Sequence, residues 1–298
     1  MGLLIGDALG VPYEFHNPES IPPYDQIEFE PPRGFARAHS GVAPGTWSDD
    51  GAQALCLLAS LIDCDKLNLD DFGARLKKWH DHGYLAVDGI VYDVGITTRR
   101  AIRCLSSGVP ASSAGLTGER DNGNGSLMRA LPLALWHTGS DTELAHDAAE
   151  QSRVTHAHPR SMVCCAVYCL WARNTLNDSR DPWETALVSL REIFADSTDM
   201  LGELDLIIQT MENSDPGGTG YVIDSLISAL SVQDEEDFEG VVKAAVMLGN
   251  DTDTTACVAG GIAGLIHGID RIPVRWRANL RGQEMVRPLL DELLKIRH

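Results

Sequence analysis

The chain has 298 residues, of which 44% are hydrophobic, and a formal net charge of −19. That length and apolar fraction suffice for one sizeable core, and nothing in the composition marks a disordered chain. The charge argues against a nucleic acid or an anionic membrane as partner, since both repel an acidic surface.

Helical periodicity dominates the sequence. The small residues of Gly6-Asp7-Ala8-Leu9-Gly10 permit close backbone packing in a short first helix, with Glu14 just beyond its end. A Pro-rich irregular segment covers 17–44, with a short strand allowed within 26–29; loops this long are commonly functional. The pattern then predicts helices over 49–62, 70–80, 94–106, 126–135, 142–153, 161–173 and 182–194. Further helices are predicted over 200–211, 221–230, 234–248, 252–267 and 283–295, the acidic run 234–237 forming a solvated helix start. Tyr221 and Trp276 are expected to fill the core. No linker divides the chain, so the expected architecture is all-α: a single compact orthogonal helical domain spanning 1–298, with helix starts converging on a metal-centred cleft. The seven cysteines contain no Cys-x-x-Cys pair and several lie on apolar helix faces. They predict a reducing, cytoplasmic setting without a disulfide framework. Residues 1–10 lack the pattern of a secretory signal, and the longest apolar run, 256–266, is too short to span a bilayer.

Two acidic clusters carry the chemistry. Ser48-Asp49-Asp50 opens one helix and Asp251-Thr252-Asp253-Thr254 opens another. Ser or Asp at a helix start is ordinarily a cap, but capping needs only one carboxylate, and adjacent aspartates repel. Two such oxygen-only clusters predict a single centre for a hard divalent cation, assembled from both ends of the chain. An EF-hand is excluded because its glycine and glutamate positions hold Ala256 and Ile262. Asp251, Asp253 and Thr255 also match the Asp-x-Asp-x-Thr loop of a class of phosphohydrolases, which leaves a metal-dependent phosphohydrolase as a further reading. The turn Gly123-Asn124-Gly125-Ser126 offers exposed N–H groups to an anion. His156 and His158, in His-Ala-His, could form a ligand pair, but an oxygen-rich metal site does not call for imidazole, and a polar substrate contact by one of them fits better.

Together these segments resemble the ADP-ribosylglycohydrolase family, more closely its bacterial dinitrogenase-reductase-activating branch. The matching stretches are GDALGVPYE (6–14), GTWSDDGAQALCL (45–57), YDVGITTRRAI (92–102) and GNGSLMRALPLAL (123–135). They continue in family order with THAHP (155–159), GTGYVIDSL (218–226) and LGNDTDTTACVAGGIAGLIHG (248–268). The resemblance implies a helical domain holding two divalent cations, Mg²⁺ or Mn²⁺. It makes Ser48, Asp49, Asp50, Asp251, Asp253 and Thr254 metal ligands. It gives catalytic roles to Glu14, Asp93 and Asp50, and places Gly123, Asn124, Gly125, Ser126 and His156 against ADP-ribose. The implied reaction is metal-dependent hydrolysis of the N-glycosidic bond of an ADP-ribosylated protein or small-molecule conjugate, foremost ADP-ribosyl-arginine, with release of ADP-ribose. A catalytically inactive ADP-ribose-binding or structural protein on the same fold is the alternative. Ser48 stands where Thr is more common, keeping the hydroxyl, and Asn250 stands where Gly is usual, which predicts a narrower metal loop. The segment 17–44 is expected to gate the choice of acceptor.

Overall fold

The computed structural model describes residues 1–297. In chain order the helices are α1 (Gly2–Gly10), α2 (Asp49–Cys64), α3 (Leu69–His82), α4 (Ile96–Ser106), α5 (Leu131–Trp136), α6 (Asp141–Arg153) and α7 (Pro159–Leu176). They continue with α8 (Pro182–Ile193), α9 (Thr198–Asn213), α10 (Val222–Ser231), α11 (Phe238–Met247), α12 (Thr252–His267), α13 (Val274–Asn279) and α14 (Gln283–Arg297). Among the described residues there is no β-strand, only isolated bridges at Leu116–His156 and Gly123–Tyr221. One continuous apolar cluster, from Leu3 to Val286, forms the core.

Helix α7 runs through the middle, buried from Ser161 to Asn174, with α6, α8, α9 and α10 packed round it. Tyr168 on α7 donates its hydroxyl to Val258 O of α12 at 3.0 Å. Cys56, Cys164, Cys165, Cys169 and Cys257 are buried free thiols and act as small apolar side chains.

The packing of α1 against α12 positions the site. Gly2, Gly6 and Gly10 recur every fourth residue, so they share one helix face. That face lies antiparallel against Gly260, Ala256 and Thr252, and a methyl group at Gly6 would overlap the Ala256 carbonyl. The missing side chains let the two backbones approach until Thr252 Oγ1 donates to Gly10 O at 2.8 Å. Every residue of α1 is buried, Asp7 included. The chain leaves α1 through one 3-10 turn, Val11–Tyr13, and so delivers Glu14 to the start of α12.

The segment 17–44 is irregular but anchored. Ile21, Ile27 and Phe29 are buried. Tyr13 Oη donates to Glu28 O (2.8 Å) and accepts from Glu28 N–H (2.9 Å), and Trp276 Nε1 donates to Glu28 Oε2 (2.6 Å).

Several expectations need correction. The strand within 26–29 does not form; Tyr24–Gln26 is a 3-10 turn. The helix expected from residue 126 begins only at Leu131, because 123–130 is spent on turns. The acidic run 234–237 lies outside α11, with Asp237 as its cap, Oδ1 accepting Gly240 N–H at 2.8 Å. Tyr221 is 38% exposed where a core position was expected, whereas Trp276 is buried. Helix α13 carried no periodic signal; it is one short turn-and-a-half after Pro273.

Candidate functional site

The first acidic cluster forms the N-terminus of α2. Ser48 caps it, its Oγ accepting Asp50 N–H at 3.2 Å. A second cap comes from another helix: Asp7 on α1 accepts Ser48 N–H on Oδ1 (2.8 Å) and Gly51 N–H on Oδ2 (2.7 Å). Burial raises the Asp7 carboxyl to about 7 against the pull of those two N–H groups. Behind the cluster, Asp49 Oδ2 accepts from Gln53 Nε2 (2.7 Å), and Gln53 Oε1 accepts from Arg129 Nη1 (2.9 Å). Arg129 is wholly buried and also donates to Gln151 Oε1 and Gln151 O, both at 3.0 Å. Gln151 Nε2 in turn donates to Ser126 O at 3.1 Å, so a buried polar chain links this cluster to the glycine turn.

The second cluster opens α12. Asp253 Oδ1 accepts the N–H of Thr254 (2.9 Å), and Thr254 Oγ1 donates to Asp50 Oδ1 (3.4 Å), joining two clusters that lie 204 residues apart in sequence. Glu14, Asp251 and Asp253 each bring a carboxylate oxygen within 4.8 Å of the others. Burial raises the Asp49, Asp50 and Asp253 carboxyls well above the ordinary range, and neighbouring carboxylates add to it. Glu14 is pushed up to about 10 by burial and by the charges of Asp93, Asp251, Asp50 and Asp7. Helix N-termini supply partial positive charge here, but among the described residues no Lys or Arg forms an ion pair with these acids.

Asn250 adopts the left-handed φ of +59° that Gly ordinarily fills, and its Nδ2 donates to Gly217 O at 2.8 Å. Asn is among the few residues that tolerate this conformation. The Asp-x-Asp-x-Thr match also has a plain structural reading. Asp253 sits in the first turn of α12 with no strand before it, and Thr255 Oγ1 is bonded to Asp251 O at 2.8 Å. That is not a phosphohydrolase nucleophile loop.

The turn 123–126 lies beside the second cluster. Asn124 Nδ2 donates to Asp251 Oδ2 (2.9 Å) and to Ser225 Oγ (2.8 Å). The N–H groups of Gly125 and Ser126 donate to no partner among the described residues. His156 lies under this turn, only 2% exposed; a Cβ on Gly125 would come within 2.9 Å of its Cε1. Burial, helped by Arg129, holds the imidazole down at about 3, so it stays neutral. The Ser126 hydroxyl faces the interior and accepts from Ser152 Oγ at 2.8 Å. His156 and the Ser126 side chain therefore support the turn from beneath.

Asp93 arrives from the loop before α4 with φ +50°, and burial raises its carboxyl to about 6. Glu14, His39 and Asp93 present atoms within 4.8 Å of one another, and His39 Nε2 lies 2.6 Å from Glu14 Oε2. His39 and Asp7 were not anticipated from the sequence. Asp7 had a signal, a lone acid in an apolar glycine helix. His39 had none, because nothing in an irregular segment announces where a side chain will fall.

Apart from the His39 nitrogen beside Glu14 and Asp93, the donor set is carboxylate and hydroxyl oxygen. Asp50 Oδ2 and Asp253 Oδ2 are buried and have no hydrogen-bond partner among the described residues. Buried carboxylate oxygens need a partner, and a hard divalent cation fits this set.

Comparison with known proteins agrees with the geometry. The profile of the family described as ADP-ribosylglycohydrolase matches residues 1–298. The chain is 31% identical to "ADP-ribosylarginine hydrolase Tri1" of Serratia proteamaculans (strain 568), covering 98% of this chain and 77% of that protein. It is 27% identical to "ADP-ribosyl-[dinitrogen reductase] glycohydrolase" of Rhodospirillum rubrum, covering 99% and 94%. A solved structure, "ADP-ribosylglycohydrolase-related protein complex", superposes with a TM-score of 0.78 at 30% identity, over 99% of this chain and 95% of that one. A helical fold built on the α1–α12 pair, the joined acidic clusters and a match along the whole chain lead to one assignment: the chain belongs to the ADP-ribosylglycohydrolase family of glycosidases.

Proposed function

We propose that the protein hydrolyses the N-glycosidic bond between ADP-ribose and an arginine guanidine, on a protein or a small conjugate, using two divalent cations, Mg²⁺ or Mn²⁺. The observation that carries the metal requirement is the pair of unpartnered buried oxygens on Asp50 and Asp253, inside a cluster whose acids sit at raised pKa. Ser48, Asp49, Asp50, Asp251, Asp253 and Thr254 would hold the ions. When bound, the cations would supply Lewis-acid and template chemistry at the ribose and lower the pKa of a water. The arginine acceptor is supported by the activity for which the Serratia relative is named and by the acidic surroundings of Glu14 and Asp93. The acidic net charge and the free thiols suit a cytoplasmic enzyme acting on modified protein.

The chain's own groups divide the remaining work. The N–H groups of Gly125 and Ser126 receive the diphosphate, a role that needs no basic side chain. Asn124 holds Asp251 in place through its 2.9 Å bond. In the balanced reaction, water gives hydroxide to C1″ and its proton to the departing guanidine. That transfer requires a group that gives and takes a proton near neutral pH. Asp93, at about 6, has the matching pKa, and Glu14 shares one proton with His39 beside it.

The test is incubation of the purified protein with Mg²⁺ or Mn²⁺ and an arginine-ADP-ribosylated protein, with mass spectrometry of the products. EDTA-sensitive release of intact ADP-ribose is expected. AMP or phosphate in its place, or tight ADP-ribose binding with no turnover on any conjugate, would overturn the proposal.

A further inference from the structure

Phe15 follows Glu14 directly and is 70% exposed. Its φ is +65°, a conformation that bulky side chains almost never adopt. The strain is held by a reciprocal pair of backbone bonds. Phe15 N–H donates to Asn250 O, and Asn250 N–H donates to His16 O, both at 2.7 Å. The ring is thus pinned to the loop that carries Asp251, in a position where it gains little from burial. Backbone strain that persists beside a site calls for a functional reason.

The surroundings supply one. Phe15 packs against the His39 ring with centroids 5.6 Å apart, and His39 packs against Tyr92 at 5.1 Å. Tyr92 precedes Asp93, and His39 is bonded to Glu14. Three rings therefore lie in series beside two carboxyl groups that are within 4.8 Å of each other, with the outermost ring open to solvent. Aromatic faces next to carboxylates match one chemistry closely, a planar cation. A guanidinium stacks on a ring face and loses less hydration in doing so than an ammonium.

We propose that Phe15, with His39 and Tyr92 behind it, is the acceptor subsite, receiving the guanidinium and stem of the modified arginine by stacking. The inference rests on the hydrolase reading and adds how the acceptor is selected. A serine-linked ADP-ribose has no planar cation and gains nothing from the shelf. Two of the three rings flank the catalytic acids, and His39 comes from the 17–44 segment, which gives that segment its part in acceptor choice.

The experiment uses the metal-loaded full chain with an arginine-ADP-ribosylated peptide and a serine-ADP-ribosylated peptide, comparing wild type with Phe15→Leu and Phe15→Trp. Steady-state KM and kcat are measured, with ADP-ribose affinity by calorimetry as the control. Phe15→Leu is expected to raise KM for the arginine peptide roughly fivefold to tenfold, as loss of a cation–π contact implies. Phe15→Trp is expected to restore it, with ADP-ribose affinity unchanged in both variants. An unchanged KM in Phe15→Leu, or a parallel loss of ADP-ribose affinity, would overturn the subsite. If wild type itself releases nothing from the arginine peptide, the arginine-hydrolase reading fails first, and that failure is visible before any variant is compared.

Discussion

Asp253 and Asp7 are both buried acids, and they differ in what burial asks of them. Asp253 has an oxygen without a partner; Asp7 has both oxygens bonded to backbone N–H groups of α2. Asp253→Asn removes repulsion from the cluster while removing a cation ligand. It should lower kcat by about 10²-fold or more, while the thermal midpoint of the EDTA-treated protein holds steady or rises. A variant that keeps full turnover and full metal content, measured by elemental analysis, would disprove the ligand assignment. Asp7→Asn replaces one acceptor oxygen with a donor facing an N–H. It should cost about 1–3 kcal/mol in urea unfolding, the penalty of an unmet buried group. The sequence exposed the Asp253 type of residue, because clustered acids at a helix start exceed what capping requires. It did not show what Asp7 and Gln53 bond to, because a single polar residue in an apolar helix reveals its partner only once the other helix is in place.

Among the elements, the α1–α12 pair controls the site. Gly6→Ala inserts a methyl group where the Ala256 carbonyl already lies. The expected cost is about 1–3 kcal/mol from overpacking, seen in chemical denaturation, together with a fall in kcat because Glu14 shifts against α12. Stability and kcat both at wild-type values would mean that the close approach is dispensable. Long periodic helices such as α2, α7 and α12 were legible in the sequence, since apolar spacing is a strong signal over three or more turns. The strand expected at 26–29 failed because apolar anchors in an irregular segment mimic a short strand. Residues 126–130 were misassigned for another reason. Their apolar side chains are buried as a helix's would be, while their backbone is spent on turns and on the bonds that Asn124 organises.

For the molecule as a whole, the acidic centre ties stability to pH and to metal. Asp7 and Glu14 are raised to about 7 and about 10, while the same groups in an unfolded chain titrate near 4. Between pH 6.5 and 8.5 these two carboxyls hold more protons in the folded, metal-free protein than in the unfolded chain, so their contribution to stability falls as pH rises. His156 is held low and acts in the opposite direction, but only below its unfolded value of about 6.5. Calorimetry of EDTA-treated protein should show the midpoint falling across that window. Added Mg²⁺ or Mn²⁺ should raise it more at pH 8.5 than at pH 6.5. A metal-induced shift that is larger at the lower pH would contradict a carboxylate cluster. No helix among the described residues is long and apolar enough to cross a membrane.

The contact between Gly10 and Thr252 also has a consequence for how the protein is made. The two residues are separated by 242 positions. At a synthesis rate of roughly 5–20 residues per second, α1 leaves the ribosome roughly 10 to 50 seconds before its partner exists. Throughout that interval its glycine face has nothing to pack against. The proposed centre, which brings Glu14 together with Asp251 and Asp253, cannot form until that second cluster has been made. A chain terminated before residue 251 carries Glu14 and Asp50 but lacks Asp251, Asp253 and Thr254, and so cannot form the proposed centre.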